Sequence, residues 1–333
     1  MLDLPIIWGF LIATAVLIYV ILDGFDLGIG ILFPFLDTDS QRDTAMNTVA
    51  PVWDGNETWL ILGGGGLFAT FPLAYAVLMP ALYMPILLML LGLVFRGVAF
   101  EYRWRSENHR AHWDFGFTAG SLVAAFCQGI ALGALIQGVE VAGRAYAGGW
   151  WDWLTPFTLL CGVALVIGYA LLGATWLVMK TEGALANKAA RSARITGLGT
   201  LGFIGLISLA TLSVDPRFTE KWFSFPAMLY SIPVPILVAG VGLWLWRSLG
   251  AKQDHQPFLA AVSLFALCFI GLGISLYPYV VPLELTIWDA AAPDDSLGFL
   301  LIGTLVLLPM ILGYTAYTYW VFRGKVKEGE GYH

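Results

Sequence analysis

Charge is scarce in this chain. Asp, Glu, Lys and Arg make up 12% of its 333 residues, against roughly 25% in soluble domains. No stretch between its apolar runs is long enough for a separate soluble domain, and there is no basic patch for nucleic acid. Histidine is rarer still. His109, His112, His255 and His333 are the four present, and all fall between or beyond the long apolar runs. Histidine commonly holds haem iron in membrane bundles, so the chain alone is a poor haem carrier. Three cysteines occur, Cys127, Cys161 and Cys268. Each lies in an apolar run and none has a metal-binding or CxxC spacing, so they read as small buried hydrophobes. No P-loop or dinucleotide fingerprint is found. The glycine run at 63–66 lacks a following Lys-Ser or Lys-Thr and sits among apolar residues, which points to helix packing. The N-terminus has no Lys or Arg ahead of its apolar run, unlike a cleaved signal peptide, so that segment reads as a retained span.

Apolar residues are abundant, at 59%. Runs of about 20 apolar residues, the length that crosses a bilayer as a helix, recur along the sequence. The spacing predicts an all-α integral membrane protein, a single polytopic domain over 1–333. Nine transmembrane helices are expected, at about 6–33, 57–78, 79–100, 114–138, 155–179, 195–214, 227–247, 258–281 and 297–322. None shows the alternation of a barrel strand. The second and third are separated by a turn expected at Pro80 and Pro85. Charge fixes the orientation. The connections after odd-numbered spans hold thirteen Lys and Arg, and the opposite side only Arg144, Arg217 and Lys221. Cytoplasmic loops are the basic ones, so the N-terminus is expected in the periplasm and the C-terminus in the cytoplasm. Merging spans two and three would put the basic loop 101–113 outside and lose this segregation.

Against that background the embedded acids stand out. An acid at a helix centre costs about 2.5–3.5 kcal/mol on insertion scales. "ILDGFDLGIG" carries Asp23 and Asp26, three apart and so on one helical face. Asp23 lies roughly 27 Å along the helix from Pro5 at about 1.5 Å per residue. Gly24, Gly28 and Gly30 suit close helix packing beside them. "APVWDGNETWL" places Asp54 and Glu57 at a capping-box spacing, with Trp53 and Trp59 as interfacial anchors. "FRGVAFEYRWR" holds Arg96, Glu101 and Arg103. Arg96 and Glu101 are five apart, too far round a helix to pair, so each is expected to find partners elsewhere. The three clusters fall at the cytoplasmic ends of spans one to three. Asp23, Asp54 and Glu101 are expected to converge on one wet cleft, with Asp26 and Glu57 as weaker members. Buried carboxylates suit a proton route because burial brings their titration toward neutrality.

The blocks "DGFDLGIG", "APVWDGNETWL", "FRGVAFEYR" and "YPYVVP" followed by "TIWDAA" resemble subunit II of the cytochrome bd quinol oxidases. The likeness runs from the first span to "YTAYTYW" in the last. It implies the non-haem partner of a terminal oxidase that oxidises quinol on the periplasmic side and reduces dioxygen to water. Such an oxidase takes its protons from the cytoplasm, and it generates proton-motive force without pumping. The haems, b and d or b alone, would belong to subunit I, the haem-bearing partner. A small single-span subunit, lipids and a structural ubiquinone are further partners that the resemblance allows. By the same resemblance Asp54 and Glu101 match acids of a proton route, and Asp23 matches an acid in span one. The family often has Asp where Glu101 stands. Trp59 matches a tryptophan near an oxygen-access channel. Arg96 and Arg103 take structural, electrostatic roles. The connection 214–226 is shorter than some in the family. Two rival readings remain. One is a stand-alone proton-coupled transporter, which embedded acids also mark, although nine spans do not divide evenly and no inverted repeat is visible. The other is a scaffold in which neighbours satisfy every acid.

Overall fold

Asp3 caps the first helix by accepting from the Ile6 amide, and Pro5 in the first turn costs no hydrogen bond there. From this start the computed structural model, which describes residues 3–106, 108–327 and 329, is built almost wholly of helices. They are α1 Leu4–Leu32, α2 Asp39–Asn47, α3 Trp53–Thr70, α4 Pro72–Ala81, α5 Tyr83–Arg105, α6 Arg110–Gln137 and α7 Pro156–Lys180. The rest are α8 Gly183–Thr211, α9 Pro216–Phe223, α10 Met228–Ser231, α11 Pro233–Gly250, α12 Gln256–Leu276, α13 Ile287–Ala290 and α14 Asp294–Val321. Two short antiparallel hairpins, Val141–Ala142 with Ala145–Tyr146 and Tyr279–Val281 with Leu285–Thr286, lie in connections.

Among the described residues, eight helices are long and apolar enough to cross a membrane. The second expected span differs from the reading above. Its residues divide into α3, which has 18 residues and carries Asp54 and Glu57, and the shorter α4. One break, not expected, falls at Phe71–Pro72; a second falls at Leu82 between α4 and α5, between Pro80 and Pro85 where the turn was expected. Proline disfavours the α conformation in the residue before it, and Phe71 sits at φ −127°, ψ 62°. Pro80 stays inside α4, and Pro85 lies in the first turn of α5, where its missing N–H is not needed. The α8 helix begins at Gly183, well before the expected 195, so Lys188, Arg191 and Arg194 ride on its first turns.

Contacts at the helix ends sort the connections into two groups. At one end Arg103 reaches Asp43 and Asp114, Lys188 reaches Asp37, Lys325 reaches Asp254, and the Val326 amide bonds to the Lys180 carbonyl. At the other, Trp288 Nε1 donates to Asp3, Trp8 Nε1 to the Leu297 carbonyl, and the Ala292 amide to the Thr70 carbonyl. The basic connections are thus gathered at one end.

The core is set by helices that touch through missing side chains. A Cβ on Gly28 would overlap the Tyr169 carbonyl oxygen, and one on Gly173 would overlap Gly28. That close approach of α1 and α7 stacks Phe25 on Trp176, ring centroids 4.1 Å apart. Gly30 meets Ser121 of α6 in the same way. Lipid offers little hydrophobic drive between helices, so association rests on such packing.

Candidate functional site

Two turns of α1 place Asp23 and Asp26 on one buried face, 1% and 2% exposed. Facing them, α5 brings Arg96, itself 2% exposed. The α6 backbone lies close here, because a Cβ on Gly120 would crowd the Arg96 amide nitrogen at 2.8 Å. Arg96 forks between two acids. Its Nη1 donates to Asp23 Oδ1 at 2.6 Å, and its Nη2 donates to Glu57 Oε1 on α3. Asp26 has no cation in contact. Its Oδ2 accepts from the Asn56 amide at 2.8 Å, and the Asn56 carbonyl accepts from the Tyr319 hydroxyl of α14 at 2.8 Å. A second polar chain starts one turn before Asp23. Gln128 Nε2 donates to the Tyr19 hydroxyl, and Tyr169 donates to Gln128 Oε1, both at 2.7 Å. Asp23 Oδ2 and Asp26 Oδ1 are buried without a partner.

Breaking such a buried charge pair costs several kcal/mol, so the arrangement is over-determined or it does not persist. Three carboxylates around one guanidinium cannot all be ionised cheaply in a medium of low polarity. The cluster therefore holds more acid groups than counter-charge.

The structure brings together Asp23, Asp26, Glu57 and Arg96. It leaves Asp54 and Glu101 exposed on the chain surface, outside the cluster's hydrogen bonds and ion pairs. The capping box does not form. Val52 is the N-cap of α3 without a side-chain bond, Asp54 lies in the first turn, and Glu57 turns to Arg96 instead. A single buried guanidinium outweighs a neutral backbone amide as a carboxylate partner. Trp59 is not an interfacial anchor. It is 2% exposed and packs with Ala15 and Tyr19, because it shares the α3 face that carries Asn56 toward α1. Trp53 is half-buried against Phe100.

Arg103 forms a second buried centre. It is fully buried, with Nε on Asp114 and Nη1 on Asp43, each at 2.5 Å, and its guanidinium lies 5.4 Å from the Phe33 ring centroid. This ties α2 to α5 and α6. Asn56, Tyr319, Gln128, Tyr19 and Tyr169 were not singled out by the sequence. Tyr19 had a signal, being one turn from Asp23, and Asn56 stands between Asp54 and Glu57. Tyr319 had none.

A cavity of about 180 Å³ opens at the basic end, lined by Thr48, Trp176, Lys180, His255, Tyr319 and Arg323 among others. None of the expected proton-route acids lines it. Among the described residues no group of three His, Cys, Asp or Glu is gathered to hold a metal. His109, His112 and His255 are exposed at helix ends, and His333 lies outside the described residues. The three described histidines therefore do not fit a haem iron inside the bundle.

Comparison with known proteins assigns these features to a family. The model for cytochrome bd terminal oxidase subunit II matches residues 4–322. The chain is 34% identical to cytochrome bd-I ubiquinol oxidase subunit 2 of Escherichia coli K12, over 98% of this chain and 96% of that one. It is 30% identical to cytochrome bd ubiquinol oxidase subunit 2 of Bacillus subtilis, with 97% of each covered. Its fold is similar to a chain in the structure of bd oxidase from Geobacillus thermodenitrificans, with a TM-score of 0.79 at 18% identity, covering 96% of this chain and 99% of that one. A match that runs nearly end to end, on a bundle of long apolar helices, leaves the transporter reading without support: the chain belongs to the cytochrome bd terminal oxidase subunit II family, as a multi-pass subunit of a quinol oxidase in the bacterial inner membrane.

Proposed function

We propose that this subunit packs against haem-bearing subunit I and supplies protons from the cytoplasmic side to oxygen reduction there. The buried cluster of Asp23, Asp26 and Glu57 around Arg96 is the observation that carries this reading. Membrane-embedded acids are kept at a cost and mark proton routes. Asp54, one turn before Glu57, and Glu101, just past Arg96 on α5, are the surface carboxylates that gather protons at the mouth. Glu57 and Asp23 lead inward. Arg96 holds the cluster together, and Arg103 fixes the basic end on which the mouth opens. The gathering of basic connections at one end supports nine crossings, counting α3, with the N-terminus periplasmic and the C-terminus cytoplasmic. The single polytopic domain covers the chain.

The haems, b and d or b alone, belong to subunit I and supply the redox chemistry there. Trp59, on α3 and buried against Ala15 and Tyr19 of α1, takes the oxygen-access role that its match to the family's tryptophan implies. A structural ubiquinone, lipids and a small single-span subunit are further partners of the assembled complex.

The test is Asp54→Asn and Glu101→Gln, separately and together, in the intact oxidase. A proton role predicts loss of quinol-driven oxygen consumption with haem spectra and assembly unchanged, steepest at high pH where protons are scarce. Full activity across the pH range in the double variant would leave these two acids structural.

A further inference from the structure

The buried cluster does more than pair charges. Asp23, Asp26 and Glu57 share one cation, Arg96. The groups facing them are Tyr19 on α1, Asp54 on α3, Tyr319 on α14 and, through Gln128, Tyr169 on α7. No second cation is among them. With every acid ionised, the cluster would hold two uncompensated negative charges out of water. Arg96 binds Asp23 and Glu57 directly and does not reach Asp26. Asp26 meets only a neutral amide and keeps one oxygen free. It is the member that stays protonated at least cost.

The ways out of the cluster are unequal. From Asp26 the chain passes through the Asn56 amide to Tyr319, and the chain from Tyr19 passes through the Gln128 amide to Tyr169. A carboxamide donates and accepts hydrogen bonds but does not titrate. Both chains fix geometry and block proton flow. Glu57 is different. It is a carboxylate, and its side chain is 26% exposed whereas those of Asp23 and Arg96 are 1% and 2%.

We propose that Asp23, Asp26, Glu57 and Arg96 form a proton-holding cluster in which Asp26 carries the resident proton and Glu57 is the carboxyl through which that proton exchanges with water. Glu57 takes a proton from water and loosens from Arg96. The proton passes inward through Asp23 to Asp26 once Asp26 has released its resident proton by the reverse path, and Glu57, again a carboxylate, returns to Arg96. One proton leaves, one enters and no other bond changes. The consequence for turnover rests on the proton route proposed above, whereas the resident proton does not.

Infrared spectroscopy of the intact complex, held without quinol or oxygen and moved into D2O, tests the proposal. The carbonyl stretch of a neutral carboxyl should be present in the native complex and lost in Asp26→Asn. In Glu57→Gln the band should remain but shift on deuteration about 10²-fold more slowly, the ordinary contribution of a positioned proton-transfer group. If Asp26→Asn fails to assemble, Asp26→Glu should move the band. A band indifferent to position 26, or an unchanged exchange rate in Glu57→Gln, overturns the proposal. Because the readout is taken at rest, a proton route that fails in turnover leaves this result intact, and the converse also holds.

Discussion

Replacing Arg96 with Met keeps an unbranched, flexible stem but removes the guanidinium, the only cation of the cluster. Asp23, 1% exposed, and Glu57 then lose their counter-charge. Removing one partner of a buried ion pair costs about 3–5 kcal/mol, because the charge left behind is neither solvated nor paired. Arg96 serves two acids, so the upper part of that range is expected. For a chain of this size the loss corresponds to a fall in thermal midpoint on the order of 10 °C. The assay is thermal unfolding of the detergent-purified complex, followed by loss of its subunits from a sizing column. The triple variant Arg96→Met, Asp23→Asn, Glu57→Gln removes charge from both sides. It should recover much of the loss, since unsatisfied neutral groups cost about 1–3 kcal/mol each and some find partners. Arg96→Met within about 1 kcal/mol of the native protein, the usual ceiling for an exposed pair, would refute the view of a desolvated cluster. A triple variant less stable than Arg96→Met would do the same.

Gly28→Ala should destabilise the complex by at least about 1–3 kcal/mol, as overpacking does, because the new methyl group meets the Tyr169 backbone carbonyl. Gly64→Ala, with nothing within 4 Å, should stay within about 0.5 kcal/mol, and thermal midpoints of the two variants compare them directly. Arg103→Leu strands Asp114 and leaves Asp43 only Arg110 at 3.7 Å, and should loosen α2, seen as faster proteolysis in 36–52 with the membrane core intact. Reporter fusions at Glu182 and Asp152 should read cytoplasmic and periplasmic, and both on one side would undo the span count.

The helices were legible because apolar runs of bilayer length admit few other structures. The failures have local causes. In "FATFPLAYAVLMPAL" every residue but the prolines and Thr70 is apolar or small, so hydropathy could not tell which proline ended α3. Backbone geometry decided for Pro72. The early start of α8 was hidden because its first turns are polar, which hydropathy reads as loop. Asp23 and Asp26 were visible as buried acids, since composition alone makes them costly. Their partners were not. Arg96 lies 73 residues from Asp23 and 39 from Glu57, and Tyr319 lies 263 from Asn56. No helical periodicity reports contacts across such separations. The spacing of Asp54 and Glu57 satisfied the capping pattern, but the helix starts at Trp53 and the glutamate had a stronger partner. The expected meeting of Asp23 with Asp54 and Glu101 does not occur among the ion pairs; Glu57, read as a weaker member, is the acid that shares Arg96 with Asp23.

Proton uptake during turnover tests the central claim most directly. The native oxidase and its Asp54→Asn/Glu101→Gln variant are incorporated in liposomes with a pH indicator on the cytoplasmic side, and oxygen reduction is started with quinol. The account predicts that proton uptake and oxygen consumption slow together in the variant, increasingly so as pH rises, with haem spectra unchanged. Uptake at the native rate throughout that range would contradict it.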